Sequence, residues 1–272
     1  MTPMSARPLV ILAACVGLLS PLAAQTVLPY QDFSVRTGLQ LNDAVVSGSS
    51  ILLASSHNDR RGSIFTSSQY GVAQFSAVFQ FRIASPGGIS DGTSAGADGL
   101  TFTLQRVAST QLGQLGAGIG YGGINNSIAV EFDTFANNYD PNSNHIGLNT
   151  GGSMSSVVTA DIAQAFDNGT IWTVWVDYNG STLEVRASQD GQRPATAQLA
   201  KSIDIAATIG GSAAYVGFTA ATGQAYGNHE VLGFGFSETF LTNGLAVPEP
   251  STYALMGLGL AVVGWSVWRR RR

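Results

Sequence analysis

Apolar and polar residues alternate along several stretches of this chain. Phe75, Ala77, Phe79, Phe81 and Ile83 stand at a spacing of two, with Ser76, Gln80 and Arg82 among the residues between them. That period predicts an extended strand with one side on a core. Residues 99–104, 127–132, 215–220 and 231–240 read as further strands. Residues 171–178 and 181–187 flank Asn179-Gly180, a dipeptide suited to a type I′ turn, and predict a hairpin. Segments rich in Gly, Ser and Asn separate these runs and read as turns and loops. Helical periodicity is scarce between residues 25 and 246. Many strands without intervening helices predict an all-β fold, an antiparallel sandwich of two packed sheets.

The two ends depart from that pattern. Residues 1–7 carry one positive charge, Arg7, and residues 8–22 are apolar. The run is short for a membrane span, and Pro21-Leu22-Ala23-Ala24 supplies small residues before Gln25. Residues 1–24 therefore read as a secretory signal peptide cut after Ala24. Leu12-Ala13-Ala14-Cys15 resembles a lipoprotein box that would acylate Cys15. The apolar run continues past Cys15, which favours the simple signal. At the other end, Val247-Pro248-Glu249-Pro250 precedes an apolar stretch, residues 253–268, and four arginines, residues 269–272. A helix over 253–268 spans about 24 Å, slightly under a bilayer core of about 30 Å. The arginines would hold its end on the cytoplasmic side. This order of Pro-Glu-Pro, apolar helix and basic cluster resembles the PEP-CTERM sorting tail of Gram-negative bacteria. The resemblance implies an exosortase-type partner and delivery to the cell surface or extracellular matrix, with membrane anchoring until sorting. An ordinary C-terminal anchor is the plainer alternative. The domain organisation expected is signal peptide 1–24, sandwich 25–246 and tail 247–272.

Charge narrows the function. The 272 residues carry 17 Asp+Glu against 13 Lys+Arg, and residues 25–247 alone carry a net charge of −8. An acidic domain without a basic stripe is a poor nucleic-acid binder. One Cys rules out an internal disulfide and a thiolate-only metal cage.

The stretch 130–147 carries the chemistry. Glu131 and Asp133 fall on one face of a strand, and Phe132 on the other. Two neighbouring carboxylates repel, so their placement needs a compensating group. A short loop then supplies Asn137 and Asp140, and His145 follows. Oxygen ligands in a loop suit Ca2+, and carboxylates with one imidazole suit Mn2+ or a similar transition ion. Taken singly, Asp140-Pro141 is an ordinary turn and His145 an ordinary structural histidine.

Glu131-Phe132-Asp133-Thr134-Phe135, then Asn137, Asp140-Pro141 and His145-Ile146-Gly147, resemble the metal-binding signature of the legume lectins. Further segments agree in order. Ala97-Asp98-Gly99 resembles that family's Ala-Asp-Gly strand start. Leu112-Gly113-Gln114-Leu115-Gly116 resembles its glycine-rich sugar loop, and residues 215–223 resemble its late core strand and following loop. The resemblance runs from about residue 32 to residue 240 and implies a concanavalin-like jelly roll.

It also implies two metals. Glu131, Asp133, Asp140 and His145 would hold the transition ion, with Ser155 reaching it through water. Asp133, Asn137, Asp140 and the Phe135 carbonyl would hold calcium. Asp98, after a cis peptide, would accept hydrogen bonds from sugar hydroxyls. Asn137 and the Gly113 N–H would donate to the sugar, Phe135 would stack on it, and Gln224 and Ala225 would border it. Where some members carry an acidic side chain, this chain has Ala225. His229, after Gly227-Asn228, reads as the start of the last strand and not as a site residue.

The function implied is a secreted, metal-dependent lectin that binds glycans or exopolysaccharide without catalysis. A homodimer is the assembly that legume relatives suggest. Two alternatives remain at this stage. A structural matrix protein could use the same fold for protein contacts. A glycoside hydrolase of related fold would need a second glutamate after Asp133, where this chain has Phe135 and Ala136, and hydrolysis requires a carboxyl pair.

Overall fold

The computed structural model describes residues 28–92 and 96–247. The expected signal peptide, Cys15, and the tail from Pro248 onward lie outside the described residues. The strands are β1 (Leu28–Tyr30), β2 (Leu39–Asn42), β3 (Val45–Ser47), β4 (Ser50–Ala54), β5 (Arg61–Thr66), β6 (Tyr70–Gly71), β7 (Phe75–Gly88) and β8 (Gly99–Gln105). They continue as β9 (Ser127–Asp133), β10 (His145–Thr150), β11 (Val158–Asp161), β12 (Trp172–Tyr178), β13 (Thr182–Ser188), β14 (Leu199–Ser202), β15 (Ala213–Ala221) and β16 (Ala225–Ser237). A back sheet runs β14-β13-β12-β7-β16-β4-β3, with β1 also on β16. A front sheet runs β11-β10-β9-β8-β15-β5-β2, with β6 also on β15. Every pairing between these strands is antiparallel. The fold is the all-β sandwich of two antiparallel sheets that the alternation predicts.

Aromatic rings from both sheets fill the space between them. Phe79 of β7 meets Phe218 of β15 edge-on at 4.9 Å between ring centroids and stacks on Phe102 of β8 at 5.6 Å. Phe132 of β9 packs on Phe81 at 5.1 Å and on Phe166 at 5.5 Å. Such pairs add roughly 0.5–1.5 kcal/mol each beyond the area they bury. Because Phe132 points inward, pleating turns Glu131 and Asp133 to the outer face of the front sheet. Trp172 faces this core, while Trp175 packs on the outer face of the back sheet with Val78 and Leu245. There the chain after β16 folds back, and the Trp175 indole N–H donates to the Leu245 carbonyl at 3.1 Å.

The structure departs from the alternation in three places. A five-residue helix, α1 (Ile205–Ile209), interrupts the strands. Asp204 caps it by accepting from the Ala207 N–H at 2.9 Å, and Gly210 ends it at φ 77. It is too short to display a helical period. The last strand begins at Ala225, not at 231, because Gly227-Asn228 forms an irregularity within the strand and not a turn. His229 is accordingly not a strand start: it pairs with Ile83 of β7 and Ala54 of β4.

Candidate functional site

Strand register builds the site. In the ladder β8-β9-β10, Asp133 lies opposite Gly99 on one side and His145 on the other. Glu131 lies opposite Gly147. The loop between β9 and β10 then returns Asp140 over the same spot. Ligand-capable atoms of Asp133, Asp140 and His145 all lie within 4.8 Å of one another. The Glu131 Oε1 stands 3.4 Å from His145 Nε2.

Local hydrogen bonds fold the loop. The Phe135 N–H donates to Asp133 Oδ1 at 2.8 Å, and the Asn137 N–H donates to Asp140 Oδ2 at 2.8 Å. The Asp140 N–H donates to the Asn137 carbonyl at 3.0 Å, and the Asn137 amide donates to the Phe135 carbonyl at 3.1 Å. The Ala136 N–H donates to Asp91 Oδ2 at 3.0 Å. These are the side-chain-to-backbone turns that Asp and Asn favour.

Electrostatics at the cluster are unfavourable to carboxylates alone. Glu131, Asp133 and His145 are fully buried. Burial, then the charges of Asp140 and Glu131, push Asp133 well above the ordinary carboxyl range. Burial also raises Asp140. Three carboxylates and an imidazole gathered without a lysine or arginine are a donor set for a cation. His145 is oriented for that role. Its Nδ1 faces the Asn142 carbonyl at 3.2 Å, and its Nε2 meets no hydrogen-bond partner among the described residues. A carbonyl holding Nδ1–H leaves the Nε2 lone pair on the carboxylate side. The residues present therefore fit a divalent cation.

Ser155 does not reach this cluster. It is exposed, and its N–H donates to Ser153 Oγ at 3.2 Å. The neighbouring Ser156 turns inward instead. Its hydroxyl donates to Glu131 Oε1 at 2.6 Å and lies 2.6 Å from Asn149 Oδ1. The Asn149 amide also donates to Glu131 Oε2. The hydroxyl beside Glu131 is thus one residue after Ser155, following a bend through Gly151 and Gly152, both at positive φ. Gly147 makes room for this arrangement, because a Cβ there would overlap Glu131 Oε1 and Ser156 Oγ.

Asp98 sits one strand away. The Ala97–Asp98 peptide is cis. The Asp98 N–H donates to the Ala221 carbonyl at 3.2 Å, and its carbonyl accepts from the Thr134 N–H at 3.2 Å. The residue is buried, and its Oδ2 has no hydrogen-bond partner among the described residues. Burial pushes Asp98 up to about 7, with the backbone of Gly223 opposing and Asp140 adding to the rise. Phe135 and Asn137 are partly buried beside it in the β9–β10 loop, and Gln224 is exposed in the β15–β16 loop.

Two expected contacts are not available. Gly113 is buried, and its N–H donates to the Gly120 carbonyl at 2.7 Å. The glycine-rich loop instead brings Gly116 against Gly223, which itself borders Asp98 Oδ2. Ala225 is the first residue of β16, buried and paired with Gly88, with its carbonyl taken by the Gly223 N–H. Tyr139 was not anticipated. Its hydroxyl donates to the Ala117 carbonyl at 3.0 Å and ties the β9–β10 loop to the 3-10 turn Gly116–Gly118. Burial and the surrounding carboxylates push its phenol upward.

Comparisons with known proteins agree with this fold. A lectin-related protein of Cladrastis kentukea is 32% identical over 189 residues, covering 66% of this chain and 62% of that protein. An L-type lectin-domain containing receptor kinase of Oryza sativa subsp. japonica is 36% identical over 129 residues, covering 41% of this chain and 19% of the kinase. This chain thus spans less than two thirds of either relative. The crystal structure of basic winged bean lectin with Tn-antigen superposes with a TM-score of 0.66 at 26% identity, covering 76% of this chain and 95% of that one. Residues 246–272 match the PEP-CTERM protein-sorting motif. Residues 29–249 match the legume lectin domain, and the chain belongs to the legume lectin family.

Proposed function

We propose that this chain is an exported, non-catalytic lectin whose glycan site depends on Ca2+ and a transition ion such as Mn2+. The observation that carries the reading is the convergence of Asp133, Asp140 and His145 beside a buried Asp98 whose Oδ2 lacks a partner among the described residues. Glu131, Asp133, Asp140 and His145 would hold the transition ion, with Ser156 in place of Ser155 as the hydroxyl beside it. Asp133, the Phe135 carbonyl, Asn137 and Asp140 would hold calcium. The two cations would supply the positive charge that these carboxylates lack and fix the loop that bears Asn137.

The chain's own residues then bind the sugar. Asp98 accepts from hydroxyls in its ionised form, which a cation beside Asp140 favours over the protonated one. Asn137 offers amide donors, Phe135 an apolar ring face, and Gln224 a polar rim. The second carboxyl group that hydrolysis needs is missing after Asp133, where Phe135 and Ala136 stand. Residues 1–24 act as the export signal, residues 25–246 as the lectin domain and residues 247–272 as the tail recognised by an exosortase-type system. The mature protein then resides at the cell surface or in the extracellular matrix.

A glycan array that includes Tn-antigen tests this, run with Ca2+ and Mn2+ and again after EDTA. Binding that disappears with EDTA is the expected result. Folded, metal-loaded protein that binds no glycan would instead favour a structural matrix role.

A further inference from the structure

One buried polar group is unused by the site as described. His229 of β16 is fully buried, in the sheet opposite Asp98. Its Nε2 accepts a hydrogen bond from the Gly99 N–H at 3.3 Å. A backbone N–H can only donate, so Nε2 carries the lone pair and Nδ1 the proton. Burial holds this imidazole neutral by lowering it to about 4.

The strand around His229 is irregular on both sides. Register slips between Tyr226 and Asn228 against β7, and between His229 and Glu230 against β4. Such irregularities re-aim side chains and gather next to functional sites. Here they bracket a side chain that crosses from the back sheet to the Asp98–Gly99 peptide. The other backbone bonds at Asp98 come from the front sheet and its loop, through Ala221 and Thr134. A Cβ at residue 99 would overlap the Phe132 carbonyl and crowd the Asp133 Cα, so the backbone at Gly99 packs close against β9. An aliphatic residue at 229 would fill the core at lower desolvation cost but would leave the Gly99 N–H unpaired.

We propose that His229 is a positioning residue for Asp98, accepting from the Gly99 N–H through Nε2 and so fixing the carboxylate that meets the glycan. The inference rests on the reading of Asp98 as a sugar contact.

The test uses the full-length chain saturated with Ca2+ and Mn2+, titrated calorimetrically with a Tn-antigen glycopeptide and with the strongest glycan from the array. H229L removes the acceptor and keeps an apolar filling. H229Q places an amide oxygen near the position of Nε2. H229L is expected to bind roughly five- to tenfold more weakly, the worth of one hydrogen bond. Its Ca2+ affinity should be unchanged, and H229Q should bind within about twofold of wild type. A merely structural histidine would lower the melting temperature of both variants without separating their glycan affinities. Equal glycan affinity in H229L and wild type, or in H229Q and H229L, would overturn the proposal. If H229L does not fold, the wild-type imidazole decides by nitrogen NMR: a proton on Nε2 overturns the bond, and a bare Nε2 coupled to the Gly99 amide supports it. Wild-type protein that binds neither probe would defeat the lectin reading itself, a result distinct from any outcome at residue 229.

Discussion

Gly147 stands directly opposite Glu131 in the β9–β10 ladder, so close that any side chain at 147 would overlap the Glu131 carboxylate. The backbone there needs no unusual φ; the requirement is for space alone. Gly147→Ala should therefore destabilise the protein by about 1–3 kcal/mol, the usual cost of overpacking. It should also weaken Mn2+ binding by displacing Glu131. Thermal melts and Mn2+ titration check both effects. An alanine variant with wild-type Mn2+ affinity would remove Glu131 from the proposed ligand set.

The two neighbouring serines should behave differently. Ser156→Ala leaves a Glu131 oxygen without its hydroxyl donor inside the protein, a loss of about 1–3 kcal/mol. Ser155→Ala changes an exposed side chain and should stay within about 0.5 kcal/mol of wild type. Denaturant unfolding of both variants measures the difference. Equal effects would mean that the Ser156 hydroxyl does not hold Glu131.

Acidity and metal should act on the same groups. An unfolded chain loses its aspartate protons near pH 4, at about 3.9. In the metal-free fold, burial raises Asp98 to about 7 and also raises Asp133 and Asp140. Between those limits the folded state binds more protons than the unfolded one. These carboxyls should therefore make the EDTA-treated protein lose stability as pH rises from about 4 toward about 7, partly offset by His229, whose neutral form in the fold gains stability over the same range. Ca2+ and Mn2+ favour the ionised carboxylates, so saturating metal should flatten or reverse that fall. Melting temperatures taken across this range with and without EDTA decide it. Two superimposable profiles would count against a cation site.

The segment after β16 should contribute to stability although it adds no strand. Leu245 is buried against Val78 and Trp175 on the outer face of the back sheet. Leu245→Ala should cost about 2–3 kcal/mol, at the lower end for buried leucines, because this site is near the surface. Trp175 fluorescence should shift to the red as the indole gains water. An unchanged emission maximum would show that the segment does not hold the tryptophan.

How far these features were legible in the sequence depended on their environment. β7 and the Asn179-Gly180 hairpin announced themselves through alternation and turn chemistry, and the observed strands start within one residue of the expected points. β4 and β5 did not, because they are buried on both faces and show little alternation in Ile51-Leu52-Leu53-Ala54 or Ser63-Ile64-Phe65-Thr66. The cluster of Glu131, Asp133, Asp140 and His145 was legible because strand parity and a short loop fix it locally. Ser156 was not, because its direction depends on two positive-φ glycines upstream. The engagement of the Gly113 N–H by the Gly120 carbonyl was illegible for a related reason: a loop folding onto itself through its own backbone bonds gives no periodic signal. His229 was legible as a residue but not as a contact, since only the packing of the two sheets brings it to Gly99.

The packing of residues 241–247 on the back sheet also fixes where the chain leaves the sandwich. Val247 packs on the cluster of Val78, Trp175 and Leu245 near the start of β7, and the PEP-CTERM motif match begins at residue 246. The loops that carry Asp98 and Gln224 gather at the other end of that strand, where Gly88 pairs with Ala225. Ten residues of strand separate the two places, about 33 Å. A tail continuing from Val247 would therefore leave the sandwich from its flank, at the end of β7 away from Asp98 and Gln224.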